Sequence, residues 1–136
     1  MQFKQLGAAA IEFALVLPLY LIVIDGVMEL SILSYDQMIV LNAAREATRA
    51  GIILREPKMN TQAIAQVAQN YAEGYLLSLK GDEHLTVNVN QSLDGSYQTP
   101  LSVTVEFTYN SLLAGNFMSA IKNPILLTST ATLMNE

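Results

Sequence analysis

The sequence predicts an α+β fold: a long N-terminal transmembrane helix, and a second helix packed on a small antiparallel β-sheet of about three strands. Three observations predict it. Apolar residues concentrate in the N-terminal quarter, in a run of the length that membrane helices need. Apolar residues at helical spacing follow over residues 60–79, and the last third alternates apolar and polar residues as strands do. The 136 residues are enough for one domain and an anchor.

The first helix is predicted to run from about Ala8 to Leu54. Glu56-Pro57 ends it, because the residue before a proline disfavours the helical conformation. Pro18 lies inside the apolar run and either kinks the helix or marks a segment that is melted when subunits pack together. The helix is far longer than a membrane requires, so its C-terminal half is expected to pack on the rest of the chain.

The second helix is predicted over Asn60–Leu79, with Asn60 or Thr61 as its N-cap. Its apolar face comprises Ile64, Val67, Ala68, Tyr71 and Tyr75. Alternating patterns then predict strands at 85–90, 101–109 and 125–133. Each has one polar face, which is typical of an antiparallel sheet with one side buried, and the helices are what that side covers.

The segment between the second and third strands, residues 110–123, is apolar for a loop. It is interpreted either as a short helix that caps the core or as a contact patch for a neighbouring subunit. The candidate contact residues are Leu112, Leu113, Phe117 and Met118.

Composition excludes several functions. The chain has no cysteine, which rules out disulfides, zinc–thiolate sites, a catalytic thiol and lipoprotein acylation. Its net charge of −5 argues against nucleic-acid binding, which needs a basic surface. His84 follows Asp82 and Glu83 in a predicted turn and is interpreted as solvated. No phosphate loop or nucleophile pattern is present, so we expect no catalytic residue, cofactor or metal.

The apolar run that follows Lys4 has three explanations. A cleaved secretory signal needs small residues after the run, but here it ends in Asp25-Gly26. A plain signal anchor over Ala8–Ile24 is short for a span, and extending it to Leu33 puts Asp25 and Glu29 near the outer interface. The positive-inside rule places Lys4 in the cytoplasm and the rest outside. Neither explanation accounts for a glutamate inside the run, which is costly in lipid.

The third explanation accounts for that glutamate. Gly7 is followed by Ala8-Ala9-Ala10-Ile11, then Glu12 and Phe13, and this resembles the cleavage motif of type IV prepilins. The resemblance implies that a prepilin peptidase cuts between Gly7 and Ala8. The new amine on Ala8 then lies four residues from Glu12, on the same helix face, where it can pair with this carboxylate or a neighbour's.

The wider segment 7–51 resembles the TadE-like segment of tight-adherence (Tad) pilus pseudopilins. The shared features are the GAAAIEFAL opening, Pro18 within the apolar run, Glu29 near its end, and the close Asn42-Ala43-Ala44-Arg45-Glu46-Ala47. The resemblance covers about a third of the chain. It implies a minor pilin or pseudopilin whose partners are the prepilin peptidase, other pilin or pseudopilin subunits, the inner-membrane pilus assembly machinery and membrane lipid.

Charges on the first helix form two stripes. At 100° per residue, Asp25, Glu29 and Asp36 lie on one side, and Arg45 and Arg49 lie roughly opposite them. Asp25, Glu29, Arg45 and Arg49 are predicted to pair between axially staggered subunits. Asp36 is interpreted as a solvated charge just outside the bilayer.

These observations predict a pilin-like subunit with a leader at 1–7, a transmembrane and assembly helix at 8–56, and an extracytoplasmic head at 57–136. The N-terminus is cytoplasmic in the bacterial inner membrane, and the subunit enters the pilus after assembly, for adhesion and surface attachment. The main alternative is an uncleaved, single-pass anchored binding module. A secreted enzyme with an undetected site is a distant third.

Overall fold

The computed structural model describes residues 2–53, 58–77, 85–91, 99–110 and 124–134. They form helices α1 (Gln2–Ile52) and α2 (Thr61–Tyr75) and strands β1 (Leu85–Gln91), β2 (Pro100–Tyr109) and β3 (Ile125–Met134). The predicted α+β architecture is confirmed. We call α2, the three strands and the part of α1 that they cover the head, and the rest of α1 the stalk.

The three strands form one antiparallel sheet in the order β1-β2-β3. On the central strand every second side chain, from Leu101 to Tyr109, is buried, as the alternating pattern predicts. The opposite face carries hydroxyl pairs between β2 and β3, with Ser102 3.0 Å from Thr132 and Thr104 2.9 Å from Thr130. One face of the sheet therefore covers the helices and the other is polar.

The two helices form an antiparallel pair beneath the sheet. Small side chains bring them together, since Ala43, Ala44 and Ala47 of α1 and Ala68 and Ala72 of α2 are fully buried. α1 packs against β2 and β3, and α2 packs against β1. The core of the head therefore lies between the C-terminal half of α1 and the rest of the chain.

Helix α1 approaches both α2 and β2 closely at Gly51, in its last turn. A Cβ atom there would lie 2.5 Å from Cδ2 of Leu101 and 2.8 Å from Cδ1 of Ile64. Since β2 and α2 both meet α1 at this glycine, only hydrogen fits between them.

We therefore expect Gly51→Leu to destabilise the head by at least about 1–3 kcal/mol, because added methylenes must displace packed neighbours. Gly26→Leu is the matched control, since a Cβ at Gly26 meets no atom within 4 Å. Thermal unfolding of both variants in detergent micelles measures the difference. Equal unfolding temperatures would show that the packing around Gly51 relaxes freely.

Helix α2 is shorter than predicted. The side chain of Asn60 accepts a hydrogen bond of 2.7 Å from the Ala63 N–H, so Asn60 is its N-cap. The helix ends at Tyr75, four residues before the predicted Leu79. Ile64 and Ala68 are buried as expected, but Tyr75 is exposed, with its ring centroid 5.0 Å from that of Tyr71.

The stalk is continuous with the helix of the head. Within the described part of the chain, α1 is the one helix long and apolar enough to cross a membrane. Every side chain from Ala9 to Val23 is exposed. α1 contains Pro18 without a break, so the segment is helical in the single chain. It also begins before the predicted Ala8, at Gln2, and ends at Ile52; the predicted stop at Glu56-Pro57 lies outside the described residues.

Candidate assembly surface

The Gly7–Ala8 peptide bond lies within the N-terminal turns of α1. Gly7 is exposed, and a Cβ added there would meet no atom within 4 Å. The fold itself therefore does not require glycine at this position. Any requirement for a small residue must come from a second molecule that binds the junction.

Glu12 and Phe13 lie just beyond this junction on the stalk. Both are exposed, Phe13 by 65% of its surface. Among the residues that the structure describes, none forms a hydrogen bond or ion pair with Glu12. The described side chains around this carboxylate are apolar, and none of them is a cation.

The acidic stripe lies on the side of α1 that the head covers. Asp25 and Glu29 each precede a buried alanine, Ala43 and Ala47 respectively, by eighteen residues, which is five turns at 3.6 residues per turn. Asp25 is exposed, whereas Glu29 is half-buried and accepts a hydrogen bond of 2.7 Å from the Tyr109 hydroxyl. Glu29 therefore joins the stalk to the end of β2.

The basic stripe lies on the other side of α1. Arg45 and Arg49 are exposed and line an open depression beside the end of β3. Leu41 and residues 130–133 complete its lining. In this depression the two guanidinium groups, one turn apart, face apolar and hydroxyl side chains.

The two stripes cannot meet within one chain. Asp25 precedes Arg45, and Glu29 precedes Arg49, by the same twenty residues, which is about 30 Å along the helix and about 200° around it. One axial shift of a second parallel helix by that distance brings both pairs level at once. Pairing of these four residues between subunits therefore needs a single stagger, and it stays a prediction.

Asp36 is not solvated, and the interpretation of it as a surface charge is wrong. Its side chain is fully buried, and Oδ1 accepts a hydrogen bond of 3.0 Å from the Leu77 N–H, just beyond the end of α2. Asp36 satisfies a backbone donor where α2 leaves α1. Removing the buried carboxylate would take away the acceptor of this part-buried hydrogen bond.

The part of the chain that matches a known protein family comprises the stalk and most of the rest of α1. Residues 7–49 match the family model of TadE-like proteins. The match begins at Gly7, ends at Arg49, and covers about a third of the chain. No curated protein and no solved structure matches. The resemblance seen in the sequence is thereby confirmed for this segment.

The TadE-like segment contains the predicted cleavage junction, Glu12, Phe13 and both charged stripes, and the rest of the head lies outside it. The match indicates a pilin-like protein related to the Tad pilus, in a family of structural pilus components rather than enzymes. Together with the long apolar helix, it indicates a membrane-anchored pilus protein.

Two contacts of the TadE-like segment were not expected from the sequence. Asp36 lies seven residues, or two turns, before the buried Ala43 and therefore on the same side of α1. This spacing was the signal in the sequence that Asp36 is buried. Tyr109 lies on the buried face of β2, as the alternating pattern predicts, but no local pattern indicates that its hydroxyl reaches Glu29.

Other predicted positions lie outside the described residues. These are the candidate contact residues Leu112, Leu113, Phe117 and Met118, and His84 with Asp82 and Glu83. Among the residues that the structure does describe, no group of three His, Cys, Asp or Glu side chains could hold a metal ion.

Proposed function

We propose that this chain is a minor pilin or pseudopilin subunit, anchored in the bacterial inner membrane and assembled into a Tad-type pilus for adhesion and surface attachment. One observation carries the proposal: the TadE-like segment begins at Gly7 as an apolar helix whose side chains from Ala9 to Val23 are all exposed, and this helix continues without a break into a folded head. Such a helix needs lipid or other helices around it, because a monomer in water rarely exposes so large an apolar surface.

The stalk suits two environments in succession. In the membrane, its exposed side chains from Ala9 to Val23 contact lipid, and helical hydrogen bonds satisfy its backbone. In a pilus, the same side chains contact the stalks of neighbouring subunits. The head stays outside, because the positive-inside rule keeps Lys4 in the cytoplasm.

Removal of the leader connects these two states. A prepilin peptidase that cuts between Gly7 and Ala8 creates a positive amine four residues from Glu12, on the same helix face. The amine supplies a cation close to a carboxylate that has no partner among the described residues. Pairing within the subunit or with a neighbour then stabilises the buried helix bundle, and the other pilus subunits and the inner-membrane assembly machinery are the partners.

We expect cells with an active prepilin peptidase to remove residues 1–7 from the protein. Gly7→Leu blocks the cut, since a peptidase that reads this junction has to accommodate the new side chain, whereas the fold leaves room for it. Gly26→Leu makes the same change elsewhere on the helix and leaves processing intact. The intact mass of each protein, purified from membranes, measures the result.

Retention of residues 1–7 by the wild-type protein in such cells would contradict this function. It would favour the alternative, an uncleaved single-pass anchored binding module.

A further inference from the structure

Four exposed apolar side chains lie at one end of the head. They are Tyr75 (55% exposed), Leu77 (56%), Ile125 (49%) and Leu126 (58%). We call these four residues the collar. They come from two elements that are distant in sequence, the end of α2 and the start of β3.

The collar lies near the point where α1 leaves the head. The Leu77 N–H donates to Asp36, which places the end of α2 beside α1 at this level. Ile125 pairs with Tyr109, whose hydroxyl donates to Glu29, about two turns nearer the stalk than Asp36. The β3 half of the collar, Ile125 and Leu126, is therefore nearer the stalk than the α2 half.

The length of a membrane span gives the position of the collar relative to the hydrocarbon boundary of the membrane. A span takes roughly 20 residues, and counted from Ala8 it ends at about Val27. Glu29 is then about 3 Å beyond the hydrocarbon boundary, at 1.5 Å per residue. Because the Tyr109 hydroxyl is 2.7 Å from Glu29, the β3 half of the collar lies near that boundary. The α2 half, at the level of Asp36, is about 14 Å beyond it.

We propose that the β3 half of the collar lies in the membrane interface, where the Ile125 and Leu126 side chains enter the lipid headgroup region before the subunit is extracted into a pilus. The inference rests on the membrane anchoring in the proposed function and adds a second, peripheral contact to it. Both side chains are aliphatic and suit the boundary with the acyl chains. Interfacial apolar groups reach about 5–10 Å into this region.

Lipid fits the collar better than a protein partner because the collar continues an apolar surface that already needs lipid. Val27, Met28 and Leu30 of α1 are exposed at the same height. The charges nearby on α1 are the acidic Asp25 and Glu29, so anionic lipid headgroups are not attracted there. The contact is therefore one of apolar insertion, independent of the lipid charge.

Single tryptophans test this directly, since the chain has no tryptophan of its own. The full chain is reconstituted in phosphatidylcholine vesicles that contain lipid brominated near the headgroup end of the acyl chain. Leu126→Trp reports the collar. Leu19→Trp reports the span, and Met134→Trp is the matched control, an exposed apolar residue at the opposite end of β3.

We expect bromolipid to quench Leu126→Trp and Leu19→Trp several-fold more strongly than Met134→Trp, and replacement of half the phosphatidylcholine by phosphatidylglycerol to change nothing. Ile125→Trp, at a second exposed collar position, repeats the measurement if Leu126→Trp folds poorly. Quenching of Leu19→Trp with collar tryptophans as weakly quenched as Met134→Trp would overturn the inference and leave the anchoring intact.

Three other outcomes also count against it. A blue-shifted but unquenched collar tryptophan would assign the collar to a second copy of the chain. Quenching that requires phosphatidylglycerol would replace apolar insertion by a charge contact. No quenching at Leu19→Trp would overturn the membrane anchoring itself, and the collar contact with it.

Discussion

Glu12→Gln is expected to insert in the membrane, to lose its leader largely as the wild type does, and to fail to enter filaments or complexes with partner pilins. Glu12 is exposed on the stalk and has no partner among the described residues. Its carboxylate opposes insertion in lipid, so the neutral variant inserts at least as well. Leader removal depends mainly on the small residues from Gly7 to Ala10, which the substitution does not change.

The loss occurs at assembly, because that is where the new amine on Ala8 enters a helix bundle of low dielectric constant. A charged group that loses its partner there costs roughly 3–5 kcal/mol. At about 1.4 kcal/mol per factor of ten, this weakens incorporation by roughly 100- to 4,000-fold.

Two assays on the same variant separate processing from assembly: intact mass for leader removal, and shear-release or co-purification for incorporation. Glu46→Gln is the matched control, because it removes the same charge from an exposed position of the same helix, far from the junction. A Glu12→Gln protein that is cut and incorporated like the wild type would show that Glu12 is only a tolerated charge.

Reversal of the basic stripe is the second change with a large expected effect. Arg45→Glu combined with Arg49→Glu is expected to impair assembly at least roughly tenfold, because acidic groups then meet Asp25 and Glu29 of the neighbouring subunit. Like charges brought together at an interface cost several kcal/mol, whereas the native pairs set register more than affinity. Reversing Asp25 and Glu29 as well is expected to restore assembly in part.

The structure indicates which pair to use for a clean test. Glu29 also accepts a hydrogen bond from Tyr109, so its reversal perturbs the head as well as the stripe. Asp25 and Arg45 are both exposed, and a double-mutant cycle with Asp25→Arg and Arg45→Glu isolates their coupling. Lys58→Glu, a reversal at an exposed residue outside α1, controls for net charge.

Shear-release of the four proteins of the cycle measures the coupling between Asp25 and Arg45. Normal assembly of Arg45→Glu with Arg49→Glu, or a cycle in which the two changes simply add, would show that the stripes do not pair.

Periodicity in the sequence predicted the elements of this fold because each element has one buried face. The alternation from Leu101 to Tyr109 predicted β2 and its inward side, and the spacing of Ile64 and Ala68 predicted the buried side of α2. The end of α2 was less predictable. Tyr75 has the spacing of the apolar face, but the helix ends there and the ring lies exposed at the edge of the head.

The charged residues were harder to interpret. The angle of a residue around a helix indicates the side on which it lies, but not which other residues pack against that side. The sequence placed Asp25, Glu29 and Asp36 on one side of α1, and the structure agrees. Their different environments depend on how far the head extends along α1: Asp36 is covered, Glu29 meets Tyr109, and Asp25 remains exposed. That boundary is set by the tertiary packing of α2 and β2, which no local pattern encodes.

The central claim is that this membrane-anchored chain becomes part of a pilus after losing its leader. The most direct measurement is the intact mass of the wild-type protein in filaments sheared from cells that carry an active Tad assembly system. We expect the protein to be present in the sheared fraction and to lack residues 1–7. A protein that is found only in the membrane fraction, with residues 1–7 retained, would contradict it.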